Sequence, residues 1–365
     1  MTNIIESGLN SVTPLGHGVC KYLWTLPMFH CAGWTFPWSV TAVGGVHVCL
    51  RKIDYGEIWR YLIEEGVTHY NAGPPIYPSS KQLTVAPTVN LNLLSHPSAR
   101  KLDHPVRVTV AASAPSATLF EKMTSHNLQP VHVYGLTEVY GPSTKNYYLP
   151  SFHSLPDEKR WSNMAKWQGH GFLGTREARV VKRSAKSAKG WEDVARDGKD
   201  VGEIVFRGNI VMKGYLNNAE GTKKAFEGGW FWSGDLAVIH PGGQIEIVDR
   251  EKDIIISGTP FIGLVDGVGG ENISSLSVEA TLVENPLIHE VAVIPIPHEK
   301  WGERPKAVVV LTPGEPYREG IEEDIRKWAK TKMAGWMVPD VVEIVEELPK
   351  TATGKVKKHI LKGKK

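Results

Sequence analysis

The chain has 365 residues, 41% hydrophobic and 22% charged, which is ordinary globular material for about two domains. Lys and Arg number 42 against 39 Asp and Glu, so a formal charge of +3 gives no general attraction to nucleic acid or to an acidic membrane. The longest apolar runs, such as Val291–Ile296 and Ala307–Leu311, fall far short of the roughly 18 residues a bilayer span needs. No basic N-terminus followed by an apolar stretch marks a secretory signal. Cys20, Cys31 and Cys49 have neither disulfide density nor zinc-ligand spacing, which points to a reducing, cytoplasmic setting.

In chain order, Asp54-Tyr55-Gly56-Glu57 carries a helix-capping signal, and apolar Ile58, Leu62 and Ile63 follow before Gly66 stops the helix. A strand is expected at Val67–Asn71. Val106–Val110 alternates Val, Arg, Val, Thr, Val, the period of a half-buried strand. Pro115-Ser116 opens a helix to about Ser125, and Val131–Tyr134 is a further strand. Strand, helix and strand with short connections predict βαβ units and a largely parallel sheet. Ser184–Lys199 is polar and lysine-rich and is expected to be a surface excursion.

Past residue 200 the texture changes. Glu203–Phe206 is a strand, and Leu236–Ile239 with Gln244–Val248 form a hairpin around His240-Pro241-Gly242-Gly243. A compact α+β unit follows Asp249. It has helices at about Ser277–Glu284 and Ile321–Lys332, and strands at Val291–Ile296, Lys306–Leu311 and Val341–Val345. The domains are expected at residues 1–249 and 250–365.

Four local patterns could carry chemistry. The first is Leu26-Pro27-Met28-Phe29-His30, where a lone His beside aromatics is usually a packed core residue. The second is Tyr134-Gly135-Leu136-Thr137-Glu138, at the carboxyl end of a parallel strand, where α/β sheets bind ligands. There Gly135 admits close backbone approach, Thr137 offers a hydroxyl to phosphate and Glu138 offers oxygen to Mg²⁺. The third is Gly229–Asp235 with Asp249-Arg250-Glu251-Lys252-Asp253, in which an Asp after Gly can accept both ribose hydroxyls. The fourth is Leu348-Pro349-Lys350-Thr351-Ala352-Thr353-Gly354-Lys355, which by itself is equally a basic tail.

Taken in this order, the patterns resemble the adenylate-forming enzymes of the acyl-CoA synthetase type, in the plant and fungal acyl-activating branch. The resemblance runs over about Tyr22–Leu361 and is carried by Tyr22–Trp34, His132–Ser143, Gly202–Tyr215, Gly229–Ser257 and Gly270–Ser275. It implies an α/β fold: a large AMP-binding domain of βαβ sheets plus a small β subdomain, without its N-terminal part, then a small, mobile α+β C-terminal domain. It implies ATP or AMP, Mg²⁺ and coenzyme A as cofactors or co-substrates, and a small carboxylic acid as substrate, with no nucleic acid partner.

Residue by residue, the resemblance implies that His30 gates the acyl pocket. Ser113, Ala114 and Pro115 lie along adenine, and Tyr134 packs on it beside Gly135. Thr137 contacts phosphate, Glu138 holds Mg²⁺, and Asp235 and Arg250 bind the ribose. Lys252 is the hinge of the small domain, and Lys355 bridges the substrate carboxylate and the α-phosphate.

Three features depart from the family pattern. No Ser/Thr/Gly-rich phosphate loop ending in Lys precedes Pro27, Val12–Lys21 interrupts a family segment, and Thr259–Gly269 is inserted before Gly270-Glu271-Asn272-Ile273-Ser274. The expected function is acyl-CoA synthesis through acyl-AMP, with adenylation from ATP lost where the phosphate loop is missing. The alternative is a non-catalytic relative that binds AMP, acyl-adenylate or a protein partner. The Leu361–Lys365 end is not of the Ser-Lys-Leu type, which agrees with a cytoplasmic expectation.

Overall fold

A computed structural model describes residues 18–26, 28, 31–72, 89–111, 115–146, 150–172, 177–185, 187, 189–257, 271–351 and 356–363. Its described residues divide into two compact units, one up to Ile247 and one from Val248. His30, Ser113, Ala114, Lys355 and the Thr259–Gly269 insertion lie outside the described residues, as does most of Val12–Lys21.

Unit 1 is built on a seven-stranded sheet. In chain order its strands are β1 (Lys21–Trp24), β2 (Val46–Cys49), β3 (His69–Ala72), β4 (Val106–Val110), β5 (Leu128–Leu136), β6 (Gly141–Lys145) and β7 (His170–Gly171). Their spatial order is β2-β1-β3-β4-β5-β6-β7. The first five run parallel, as the βαβ pattern predicts, and β6 and β7 turn antiparallel.

Along this sheet the helices are α1 (Cys31–Ala42), α2 (Tyr55–Glu64), α3 (Val89–Ser95), α4 (Ala117–Ser125) and α5 (Asp157–Lys166). Asp54 caps α2 by accepting from the Glu57 N–H at 3.0 Å, and Gly66 follows at φ 62°, a conformation that favours glycine. Ser116 caps α4 in the same way, through the Leu119 N–H. Strand β3 begins at His69, two residues later than its sequence pattern suggests.

Leu23, Tyr70, Val106, Val108 and Val110 share one sheet face and pack with Trp59, Leu62, Leu93, Phe120 and Met123 from the helices. The Trp59 indole N–H donates to the Leu93 carbonyl at 2.8 Å, so its polar edge is satisfied inside this core. Tyr22 and Trp24 point the other way, to Phe36 and Val40 of α1.

A second, antiparallel sheet has the order β12-β11-β10-β8-β9. Its strands are β8 (Glu177–Arg183), β9 (Trp191–Asp193), β10 (Gly202–Arg207), β11 (Phe231–Ile239) and β12 (Ile245–Arg250), with helix α6 (Ala219–Ala225) between β10 and β11. The lysine-rich Ser184–Lys199 run is thus no simple excursion, because it contains β9. Trp191 is buried against Trp230, and Arg179 forks onto Asp193, which draws this polar segment onto the sheet.

Unit 2 carries β13 (Ile255–Ser257), β14 (Glu271–Ile273), β15 (Ile288–His298), β16 (Gly302–Leu311) and β17 (Val341–Ile344), and helices α7 (Ser275–Leu282), α8 (Ile321–Lys332) and α9 (Lys358–Gly363). Helix α7 starts earlier than expected because Ser274 caps it through the Ser277 N–H. One sheet face packs on α7 and α8 through Val293, Ala307, Val309, Val278 and Ile325, and the other takes up Leu348 and Leu361 of the C-terminal segment.

Candidate functional site

The Tyr134–Glu138 segment begins as the end of β5 and leaves the sheet abruptly. The register slips between Tyr134 and Gly135, and a Cβ at Gly135 would sit 1.7 Å from the Gly141 carbonyl oxygen. Only glycine fits so close a crossing of backbones. Thr137–Val139 then form a single 3₁₀ turn, closed by the Tyr140 N–H on the Thr137 carbonyl at 3.1 Å. Tyr140 itself holds φ 66°, an uncommon left-handed conformation for a non-glycine residue. Buried Val139 anchors the turn in a core shared with Val180, Ile204, Phe206 and Phe231 of the second sheet.

That anchoring brings together residues far apart in sequence. The Tyr134 hydroxyl donates to Asp235 Oδ2 at 2.6 Å across 101 residues of chain. Asp235 is 5% exposed and follows Gly234, whose N–H donates to Glu203 Oε1 at 2.7 Å. Its own N–H donates to Ser233 Oγ, which in turn donates to the Ile204 carbonyl. These bonds fix the Asp235 backbone on β11 beside β10, the central strand of the sheet. The Tyr134 ring lies at 25° to Phe206 with centroids 6.3 Å apart.

Thr137 is exposed at the start of the turn. Glu138 is held at two points by one loop: the Met212 N–H donates to its carbonyl at 2.7 Å, and the Tyr215 hydroxyl donates to its Oε1 at 3.1 Å. Partial burial and the neighbouring Glu138 carboxylate both push the Tyr215 phenol above its ordinary value. Sequence reasoning gave Tyr215 no role, although it closes the Gly202–Tyr215 motif segment. Among the described residues no three or more His, Cys, Asp or Glu side chains converge as a metal cluster.

Pro115 directly precedes the Ser116 cap of α4. Arg250 and Lys252 belong to unit 2. The Arg250 N–H donates to Asp249 Oδ1, and the Lys252 carbonyl accepts from Lys362 Nζ at 2.7 Å, in the same grip that joins Lys362 to Asp253. No helix among the described residues is long and apolar enough to cross a membrane.

Comparison with known proteins gives concordant matches. The model of the AMP-binding enzyme family matches residues 3–216, and that of the AMP-binding enzyme C-terminal domain matches residues 277–355. The chain is 41% identical over 349 residues to the peroxisomal acetate/butyrate–CoA ligase AAE7 of Arabidopsis thaliana, covering 94% of this chain and 56% of that protein. It is 42% identical over 345 residues to the acetate–CoA ligase CCL3 of Humulus lupulus, with the same two coverages. The chain thus spans little more than half the length of these curated relatives.

Among solved structures, the o-succinylbenzoate CoA synthetase MenE of Bacillus subtilis, in complex with the acyl-adenylate intermediate OSB-AMP, superposes with a TM-score of 0.74 at 22% identity. That match covers 100% of this chain and 64% of the bacterial one. ATP-bound MatB of Rhodopseudomonas palustris gives a TM-score of 0.73 at 23% identity, over 99% and 62% of the two chains.

Proposed function

The chain belongs to the AMP-binding enzyme family, and on that premise we propose that unit 1 binds the AMP moiety of an acyl-adenylate in an acyl-CoA synthetase reaction. The observation that carries the proposal is the Tyr134–Asp235 contact, a buried carboxylate and an aromatic ring brought together at the carboxyl end of β5. In this reading Asp235 accepts from the ribose hydroxyls, the Tyr134 ring packs against adenine, and the exposed Thr137 hydroxyl meets phosphate. Motif resemblance alone adds His30 at the acyl group, Ser113, Ala114 and Pro115 along adenine, Arg250 on the ribose, Lys252 as hinge and Lys355 on the α-phosphate.

Glu138 suits Mg²⁺ by its donor chemistry. Its Oε2 takes no hydrogen bond among the described residues, and Mg²⁺ is commonly held by one or two carboxylates together with water and substrate phosphates rather than by a full protein cage. When bound, Mg²⁺ neutralises charge on the phosphate oxygens.

The reaction proposed has two steps. A carboxylate oxygen attacks the α-phosphorus of ATP, the bond to the β-phosphate breaks, and pyrophosphate leaves an acyl-AMP anhydride. The thiolate of coenzyme A then attacks the acyl carbon and AMP departs. The substrate proposed is a short-chain carboxylic acid, the class named for the Arabidopsis and Humulus relatives.

Calorimetric titration of AMP and of a non-hydrolysable acyl-AMP mimic tests this. Asp235→Ala should weaken both by at least tenfold, from about 1.5–3 kcal/mol for each hydrogen bond lost to a charged acceptor. Equal affinities for the native chain and the variant would refute adenylate binding at this site.

A further inference from the structure

We propose that Tyr215 is the positioning residue that aims the Glu138 carboxylate at a nucleotide-bound divalent cation. The inference rests on the reading of Glu138 given above. Glu138 sits half-buried on a single 3₁₀ turn with no side-chain cap; Val139 anchors the backbone of that turn, but the turn itself does not fix the direction of the Glu138 carboxylate. The loop after β10 supplies that direction. The Met212 N–H holds the Glu138 backbone at 2.7 Å, and three residues later the Tyr215 hydroxyl takes Oε1 at 3.1 Å. With Oε1 engaged, Oε2 is the oxygen that carries no hydrogen bond among the described residues, so the carboxylate is presented with one fixed and one open oxygen. Outer partners of this kind orient a ligating carboxylate.

Tyr215 is itself well fixed for the task. Its N–H donates to Thr222 Oγ1 at 2.9 Å, and Thr222 Oγ1 donates to the Asn218 carbonyl at 2.8 Å. Asn218 caps α6 through the Gly221 N–H at 2.8 Å. Gly214 holds φ 157° with its missing Cβ 2.7 Å from Thr222 Cγ2, so the loop is folded tightly against the first turn of α6. Removing the phenol oxygen therefore leaves the loop's own bonds in place and deletes only the link to Glu138.

The experiment is calorimetric titration of ATP into the full chain, once with EDTA and once with excess Mg²⁺, for the native protein, Tyr215→Phe, Glu138→Gln and Thr222→Val. The quantity read is the ratio of the two affinities. Tyr215→Phe should lower that ratio by about three- to tenfold while leaving the EDTA affinity within twofold, as one lost hydrogen bond implies. Glu138→Gln should abolish the ratio, and Thr222→Val, which loosens the loop that holds Tyr215, should lower it as Tyr215→Phe does. A native ratio in Tyr215→Phe, with the ratio lost in Glu138→Gln, overturns the positioning role and leaves the Glu138 reading standing. A ratio of one in the native chain, or one unmoved by Glu138→Gln, overturns both.

Discussion

Lys350 and Glu290 form an ion pair at 2.6 Å in unit 2, with side chains only 9% and 8% exposed. Lys350→Met would leave the buried Glu290 carboxylate without its cation, and its second oxygen Oε2 already lacks a hydrogen-bond partner among the described residues. Breaking such a pair from one side costs about 3–5 kcal/mol, because the remaining charge stays buried.

Lys350→Met with Glu290→Met should recover most of that loss, since two apolar side chains of similar volume remove both desolvation penalties. Urea unfolding of the full chain, with hydrogen exchange followed in β15 peptides, reads these differences. A single-variant loss below about 1 kcal/mol would show that water screens the pair and refute the reasoning.

Burial pushes the His132 imidazole down to about 4, against backbone hydrogen bonds at Ala165 and Trp167 that favour its charged form. The unfolded chain binds a proton below about 6.5 that the folded chain refuses, so stability should fall by up to about 3 kcal/mol as pH drops from 6.5 to 4. His132→Gln should flatten that slope in denaturation curves taken across the window. Burial, with the Arg107 cation nearby, pushes Lys145 down to about 7. Both states are protonated below pH 7 and only the unfolded state is protonated from there to about 10.5, so the folded chain gains stability through that range. Lys145→Met should be the more stable protein at pH 6 by a few kcal/mol, and the two unfolding midpoints should converge near pH 10.

The sequence by itself determined what is local. Asp54, Gly66 and Ser116 set helix ends because a side-chain oxygen or a left-handed backbone acts within three residues. The amphipathic Ile321–Lys332 helix and the His240–Gly243 turn were legible for the same reason: a period or a turn needs no distant partner. The Cys31–Ala42 helix was not legible, because it is apolar around its circumference and holds Pro37, so no 3.6-residue period marks it. Strand β9 was hidden in a lysine-rich run, since its reason to pair is Trp191 meeting Trp230, 39 positions further on.

The candidate site divides in the same way. The residue types of Tyr134–Glu138 and Asp235 could be read from motifs, and motifs carried the family. Only the tertiary structure decided that Tyr134 grips Asp235, and that Tyr215, 77 residues from Glu138, holds one oxygen of its carboxylate. Both contacts depend on the β5 turn docking through Val139 onto the second sheet. That docking is a packing event between strands far apart in sequence, and no local pattern encodes it.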